Sequence, residues 1–341
     1  MKRVALLGPA WESKGGVNVL VKHLGKFFTQ QGVEVHYFPV GKTTLKESAF
    51  FHPVNTDAKK EQIKQLLEKL NNFKFNLIIA NNLRTSYILS LYSKQKDIND
   101  LYIIHQGRIL QDKIKWFHFK QKRKFNKIFK NKKVVLLNHC SKNAFIKKFQ
   151  IKANYFVIPN GLDFEEIRKK ASQFSVKGNY IIGVGRLEKE KNFEYLIKAY
   201  GAGNFKEELW LLGDGPQQRE LENLAKKLKI ENKVKFLGWQ KNPYPFIKNA
   251  SLLVHPSKME SSANVFVESF ILNTPVVATD IKCGPNEILI GELEKYLVPL
   301  NNIPQLTYTM EKALENYPPI KEKYIEKYRV EKVGEQYLQF L

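Results

Sequence analysis

The sequence predicts an α/β protein built from two doubly wound parallel sheets. Three observations carry this. Short apolar runs that read as strands buried on both faces alternate with helical stretches through the first half. The same alternation starts afresh near Tyr180. A length of 341 residues exceeds what one hydrophobic core usually serves, and a hydrophobic fraction of 43% is ample for two.

Taken in order, RVALLG (3–8) is the first strand and NVLVKHLGKFFTQQG (18–32) a helix. VEVHYFPV (33–40) is the second strand. A helix is expected over 58–70, a strand at NLIIANN (76–82), a helix near 86–92 and a strand at LYIIHQG (101–107). VVLLNHCS (134–141) and YFVIPNG (155–161) add two more. Turn chemistry at Pro159, Asn160 and Gly161 marks the join. Beyond it YIIGVGR, ELWLLGDG, VKFLGW, SLLVHPS and PVVATD repeat the pattern up to Asp280. Ligands of such sheets sit at the carboxyl ends of the strands, and a cleft between two facing sheets is the default site.

The first residues, MKRVALLGPAWES, begin with positive charge and an apolar run. The run is too short for a signal peptide and is followed by Trp11 and Glu12, so a strand is expected rather than a leader. No stretch of some 18 uninterrupted apolar residues predicts a spanning helix. Two cysteines, Cys140 and Cys283, are too few for a disulfide framework and lack metal-ligand spacing. A reducing, cytoplasmic compartment is the expectation.

The net charge of +23 implies attraction to polyanions: nucleic acid, anionic lipid or phosphorylated substrates. Between Lys113 and Lys133 the segment KIKWFHFKQKRKFNKIFKNKK has no acidic residue, and Trp116, Phe117, Phe119, Phe125 and Phe129 interleave with its cations. That pattern suits a helix lying on an anionic membrane surface, and equally a basic helix whose aromatics face the core. No recognised nucleic-acid module is present, so nucleic acid is not an expected partner.

Three strand ends can hold a phosphate. GVGRLEKEKN delivers Arg186 at a strand tip, with Lys189 and Lys191 in the loop and Asn192 placed to cap the next helix. Arginine supplies a fork of donors and lysine a point charge, a pair able to neutralise a diphosphate. GVGR lacks the third glycine of a dinucleotide fingerprint, which excludes a nicotinamide site. GDGP makes a tight turn at Gly213 and Gly215, with Pro216 in the first turn of a helix. In MESSANVFVES two carboxylates, Glu260 and Glu268, flank a helix expected to open near Ala263 with Val265, Ser269 and Leu272 on one side. Small residues there, Ser261, Ser262 and Ala263, leave N–H groups open to an anion. The chain has no DxD pair, so no metal or other cofactor is expected.

The ordered set IPNGLD, GVGRLEKEKN, LLGDGP, VKFLGW, the E-x7-E stretch ESSANVFVE and PVVATDIKCGPNEIL resembles the GT4 family of retaining glycosyltransferases. The resemblance covers essentially the whole chain and is strongest from Ile158 to Leu289. It implies a GT-B architecture of two Rossmann-like domains facing a central cleft. Residues 1–160, completed by a C-terminal helix 322–341, would bind the acceptor, and 161–321 the nucleotide-sugar. It implies that Glu260 contacts the transferred sugar and Glu268 the ribose hydroxyls, with Ser262, Ala263, Asn264 and Val265 forming the helix start that faces the diphosphate. Arg186 and Lys191 match the pair that stabilises the departing diphosphate. Gly15 and Gly16 match a glycine loop beside the donor phosphates, and His105 a histidine that approaches the donor sugar. UDP follows only as the family's commonest base. The acceptor implied is a glycan or lipid-linked glycan, of the lipopolysaccharide, lipooligosaccharide or capsule kind, with the enzyme peripheral on the inner membrane face. Ser261, Ser262 and Ala263 depart from the usual glycine-containing sequence. A nucleotide-sugar epimerase of similar architecture and a basic nucleic-acid-binding protein are the rival readings.

Overall fold

The computed structural model describes residues 1–11, 16–105, 115–260, 264–281 and 283–341, and structural statements concern these. The chain divides into two compact units, residues 1–162 with 328–341, and residues 163–327.

In the first unit β1 (Arg3–Pro9), α1 (Gly16–Gln30), β2 (Glu34–Val40), α2 (Lys59–Asn71), β3 (Leu77–Ala80), α3 (Leu83–Tyr92), β4 (Asp100–Ile104), α4 (Lys115–Phe129), β5 (Lys133–Leu136), α5 (His139–Phe149) and β6 (Asn154–Val157) follow one another. The six strands pair in parallel in the order β2-β1-β3-β4-β5-β6. Successive side chains of a strand point to opposite faces. Thus Val4 and Leu6 enter one core with Val21, Leu24 and Phe28 of α1, while Ala5 and Leu7 enter the other with Ile88 and Leu89 of α3.

The second unit runs α6 (Phe164–Ala171), β7 (Tyr180–Val184), α7 (Phe193–Ala202), β8 (Glu208–Leu212), α8 (Gln218–Lys227), β9 (Val234–Gly238), α9 (Tyr244–Lys248), β10 (Leu252–His255), α10 (Asn264–Ile271), β11 (Val276–Asp280), β12 (Leu297–Pro299) and α11 (Ile303–Glu315). Its parallel order is β12-β11-β10-β7-β8-β9. The chain returns to the first unit at Tyr328, where α12 (Val330–Leu338) sets Val330, Val333 and Tyr337 against α1. The last helix is therefore shorter than 322–341. Two single 3-10 turns, Glu322–Tyr324 and Glu326–Tyr328, precede it.

Both sheets reverse direction once. The chain leaves β1 toward β2 and then crosses back to β3; it leaves β7 toward β8 and β9 and then crosses back to β10. The carboxyl ends of β7 and β10 thus splay around a switch point, where loops can open a crevice.

Local expectations differ from the structure at three places. Asn192 stands before α7 with a left-handed φ of 55° and its side chain makes no cap. The Tyr195 amide bonds instead to the Asn192 carbonyl at 3.0 Å. Pro216 lies in the turn before α8 rather than in its first turn. In α10 the buried residues are Phe266, Val267, Ser269, Phe270 and Ile271, and Val265 is only half-buried, because the two phenylalanines claim the core side.

Candidate functional site

The loops after β7 and β8 close on each other. Gly185 and Leu187 donate to the carbonyls of Leu212 and Asp214 at 3.0 and 2.8 Å, and Gln217 donates to Leu187 at 3.0 Å. A Cβ on Gly213, at φ +144°, would meet the Gly185 carbonyl oxygen, so only glycine allows this contact. Gly185, at φ +156°, lets the methylene stem of Lys191 lie over it. The two glycine signatures of the sequence therefore shape one platform, and Lys191 crosses it.

The loop after β10 is fastened to the same platform, since the Lys258 amide donates to the Glu190 carbonyl at 2.8 Å. Thr279 of β11 holds the other side, donating its hydroxyl to the Ser257 carbonyl at 2.5 Å. With both loops fixed, Lys191 Nζ lies 2.5 Å from Glu260 Oε1, and His255 Nε2 lies 2.6 Å from the same oxygen. Ser257 Oγ is 2.7 Å from that Nε2. The Glu260 side chain is 11% exposed, Lys191 24% and His255 2%. Burial works to raise the Glu260 carboxyl, but Lys191 and His255 overcome it and hold the group down at about 2. Burial is also the main influence on His255 and favours its neutral form.

Glu268 sits in the second turn of α10, where burial pushes its carboxyl up to about 7 against a hydrogen bond from the Tyr244 hydroxyl of α9. Arg186 is 59% exposed and pairs with Glu188 at 2.7 Å. Among the residues expected at the site, Lys191 and Glu260 are in direct contact, while Arg186 pairs with Glu188 and Glu268 with Tyr244. Asn264 and Val265 open α10 and are half-buried. Ser262 and Ala263 lie outside the described residues, as does Gly15.

Gly16 begins α1. Asn18 ties that helix start to the end of β1 by donating to the carbonyls of Ala10 and Trp11 at 2.6 and 3.2 Å. His105 follows β4 and lines a cavity of about 20 Å³ with Asn81, Pro159, Asn160 and Tyr337, and burial pushes its imidazole down to about 4. In α4, Phe125, Ile128 and Phe129 belong to the core, so part of the aromatic interleaving is packing. Phe119 is exposed, with Arg123 over its ring at 5.9 Å. Lys113 and the side chains of Trp116 and Phe117 lie outside the described residues.

Sequence reasoning passed over His255, Ser257, Glu188 and Tyr244. His255 and Ser257 had a readable signal, because they sit at the end of a buried strand, five and three residues before Glu260. Tyr244 and Glu188 had none, since their partners are set by tertiary packing and loop closure.

Residues 163–331, a stretch that includes the whole second unit, match the family model described as Glycosyl transferases group 1. An uncharacterized glycosyltransferase of Methanocaldococcus jannaschii is 33% identical over 65% of this chain and 52% of its own length. The Campylobacter jejuni N-acetylgalactosamine-N,N'-diacetylbacillosaminyl-diphospho-undecaprenol 4-alpha-N-acetylgalactosaminyltransferase is 34% identical over 47% of this chain and 44% of its own. The chain thus spans about half the length of these curated relatives. Among solved structures, Anabaena HepE in complex with UDP and glucose superposes with a TM-score of 0.79 at 18% identity, covering 99% of both chains. The fold is GT-B, with two parallel six-stranded sheets flanked by helices.

Proposed function

We propose that the chain is a retaining, GT4-type glycosyltransferase that moves a sugar from a UDP-linked donor to a glycan or lipid-linked acceptor in lipopolysaccharide, lipooligosaccharide or capsule assembly. The carrying observation is the Lys191–Glu260–His255 contact at the switch point of the second sheet. The family match to that unit supports transfer over the epimerase reading. The UDP and glucose bound by HepE support the donor class, and the diphospho-undecaprenol acceptor named for the Campylobacter relative supports a lipid-linked acceptor.

In glycosyl transfer the anomeric carbon becomes cationic while the diphosphate gains negative charge on leaving. Fixed cations and N–H groups aimed at the leaving group therefore contribute most, about 3 kcal/mol for a single well-placed donor. In this reading Arg186 and Lys191 take that role with the start of α10, and Glu260 accepts hydroxyls of the transferred sugar. Glu268, braced by Tyr244, accepts the ribose hydroxyls. Gly15, Gly16 and His105 belong to the first unit, to which we assign the acceptor and a supporting contact to the donor. Retention follows from attack on the face the leaving group vacates, assisted by its phosphate. The exposed cations of α4 and Phe119 would hold the enzyme to an anionic membrane surface. No helix among the described residues is long and apolar enough to cross a membrane.

The testing experiment is thermal unfolding with UDP, GDP, ADP and CMP, followed by hydrolysis assays with sugars on the winning base and an NMR reading of the product anomer. A raised Tm with UDP and a retained anomer are expected. No shift with any nucleotide contradicts the donor reading, and an inverted anomer contradicts retention.

A further inference from the structure

Both donors that reach Glu260 fall on one oxygen, Oε1, and leave Oε2 outside both contacts. The two differ in how firmly they are held. Lys191 reaches Oε1 from a four-carbon stem lying over Gly185 and is the more exposed partner. His255 is the last residue of β10, buried, with the Phe266 ring packed T-shaped against its own at 4.9 Å between ring centroids.

The proton on the His255 ring can be placed from its surroundings. Nε2 faces a carboxylate oxygen at 2.6 Å, a distance that requires a hydrogen between them. Nδ1 is buried and finds no hydrogen-bond partner among the described residues. A proton added there would create a buried donor with nothing among the described residues to receive it, and burial already opposes a charge on the ring. The charged groups acting on the ring are Glu260 and Lys191; the Phe266 ring of α10 packs on it, while the Thr279 hydroxyl of β11 reaches the His255 main-chain carbonyl and not the ring. His255 is therefore a neutral donor through Nε2, with Ser257 Oγ beside the same nitrogen.

A diphosphate arriving at the β7 loop attracts the lysine but has no hold on a neutral imidazole. We propose that His255 is the positioning residue for Glu260: it pins Oε1 while Lys191 is drawn to the donor diphosphate, so that Oε2 stays presented to the transferred sugar. The inference rests on the donor reading above and adds to it a residue with no charge to offer and no contact with the leaving group. Its loss should show in the sugar-dependent step and not in nucleotide binding.

The experiment compares wild type with His255→Phe and His255→Gln, using UDP with UDP-glucose and GDP with GDP-mannose. Expected is a UDP or GDP affinity in His255→Phe within about twofold of wild type, with sugar hydrolysis or transfer about 100-fold slower in kcat. His255→Gln, which keeps an N–H donor, should recover at least about tenfold of that loss. A His255→Phe enzyme with unchanged kcat, or one that loses nucleotide affinity in the same proportion, overturns the positioning role while leaving the donor reading intact. A wild type that binds neither nucleotide overturns the donor reading, and the inference with it. Should the variants fail to fold, long-range 1H–15N correlation on the wild type decides. Protonated Nε2 with bare Nδ1 from pH 6 to 8, unchanged on adding UDP, is expected, and the opposite tautomer or an imidazolium overturns the proposal.

Discussion

Each unit buries a histidine beside a carboxylate, yet the two networks sit at opposite ends of their strands. In the first unit His36 Nε2 lies 2.8 Å from Glu34, His36 Nδ1 lies 2.9 Å from His52 Nε2, and His52 Nδ1 lies 3.4 Å from Glu47. Burial lowers the His52 pKa, and its link to Glu47 is the longest of the three. The rings of Phe50, Phe73 and Phe75 surround His36, and Arg3 and Lys69 cover the outer carboxylates. In the second unit a single histidine and a lysine converge on one oxygen of one glutamate. The residue types are the same and the place is not. Glu34 and His36 open β2 at its amino end, whereas His255 closes β10 at the carboxyl end, beside the switch point. Ligands of open parallel sheets bind at the carboxyl ends of the strands, so the strand end is what sets the second pair apart as the candidate.

Substitutions in the second network should produce the largest effects and break the comparison if they do not. Lys191→Met takes the cationic partner from the Glu260 carboxylate and leaves it the His255 donor, for which a loss of about 3 kcal/mol in urea unfolding is expected, together with about a 100-fold or greater loss of transfer. A variant of wild-type stability and rate would remove the distinction between the units. In the first unit His36→Phe fills the aromatic box but leaves Glu34 with Arg3 alone. It should cost about 1 to 2 kcal/mol by denaturation and leave nucleotide affinity unchanged in calorimetry.

pH sharpens the contrast within the site itself. Glu260, held at about 2, contributes stability that is present above its unfolded value of 4.5 and is lost as pH falls toward 2. Glu268, raised to about 7, runs the other way: its carboxyl costs nothing below 4.5, and stability declines as pH rises from 4.5 through 7. If the ribose hydroxyls need the ionised form, nucleotide affinity rises about tenfold from pH 6 to pH 8 in wild type, and Glu268→Gln flattens the profile in a calorimetric pH series. The smallest effect belongs to α4. Replacing exposed Arg123 or Lys124 with serine should weaken binding to phosphatidylglycerol vesicles by about fivefold for each charge, measured by co-sedimentation, with no change in nucleotide affinity.

The sheets were legible because their strands are continuous apolar runs, as in LIIA of β3 and LLVH of β10, which leave no other placement for so many buried side chains. Helices α5, α6 and α11 escaped the reading, since their polar content hides a narrow apolar stripe such as Phe145 with Phe149 or Leu306 with Met310. At the site, the sequence offered the pieces Arg186, Lys191, Glu260 and Glu268 but not their pairing. That Lys191 spends its charge on Glu260 and Arg186 on Glu188 depends on loop closure through the Lys258 amide and on the glycine contact at Gly213. No periodicity encodes those contacts.

The central claim, that the β7 and β10 strand ends of the second unit take a nucleoside diphosphate while the histidine network of the first is structural, is tested most directly by calorimetric titration of UDP into wild type, Glu268→Ala and His36→Phe at pH 8. The account predicts one site per chain, affinity at least about tenfold weaker in Glu268→Ala and unchanged in His36→Phe. Equal affinity in wild type and Glu268→Ala, or a loss confined to His36→Phe, would contradict it.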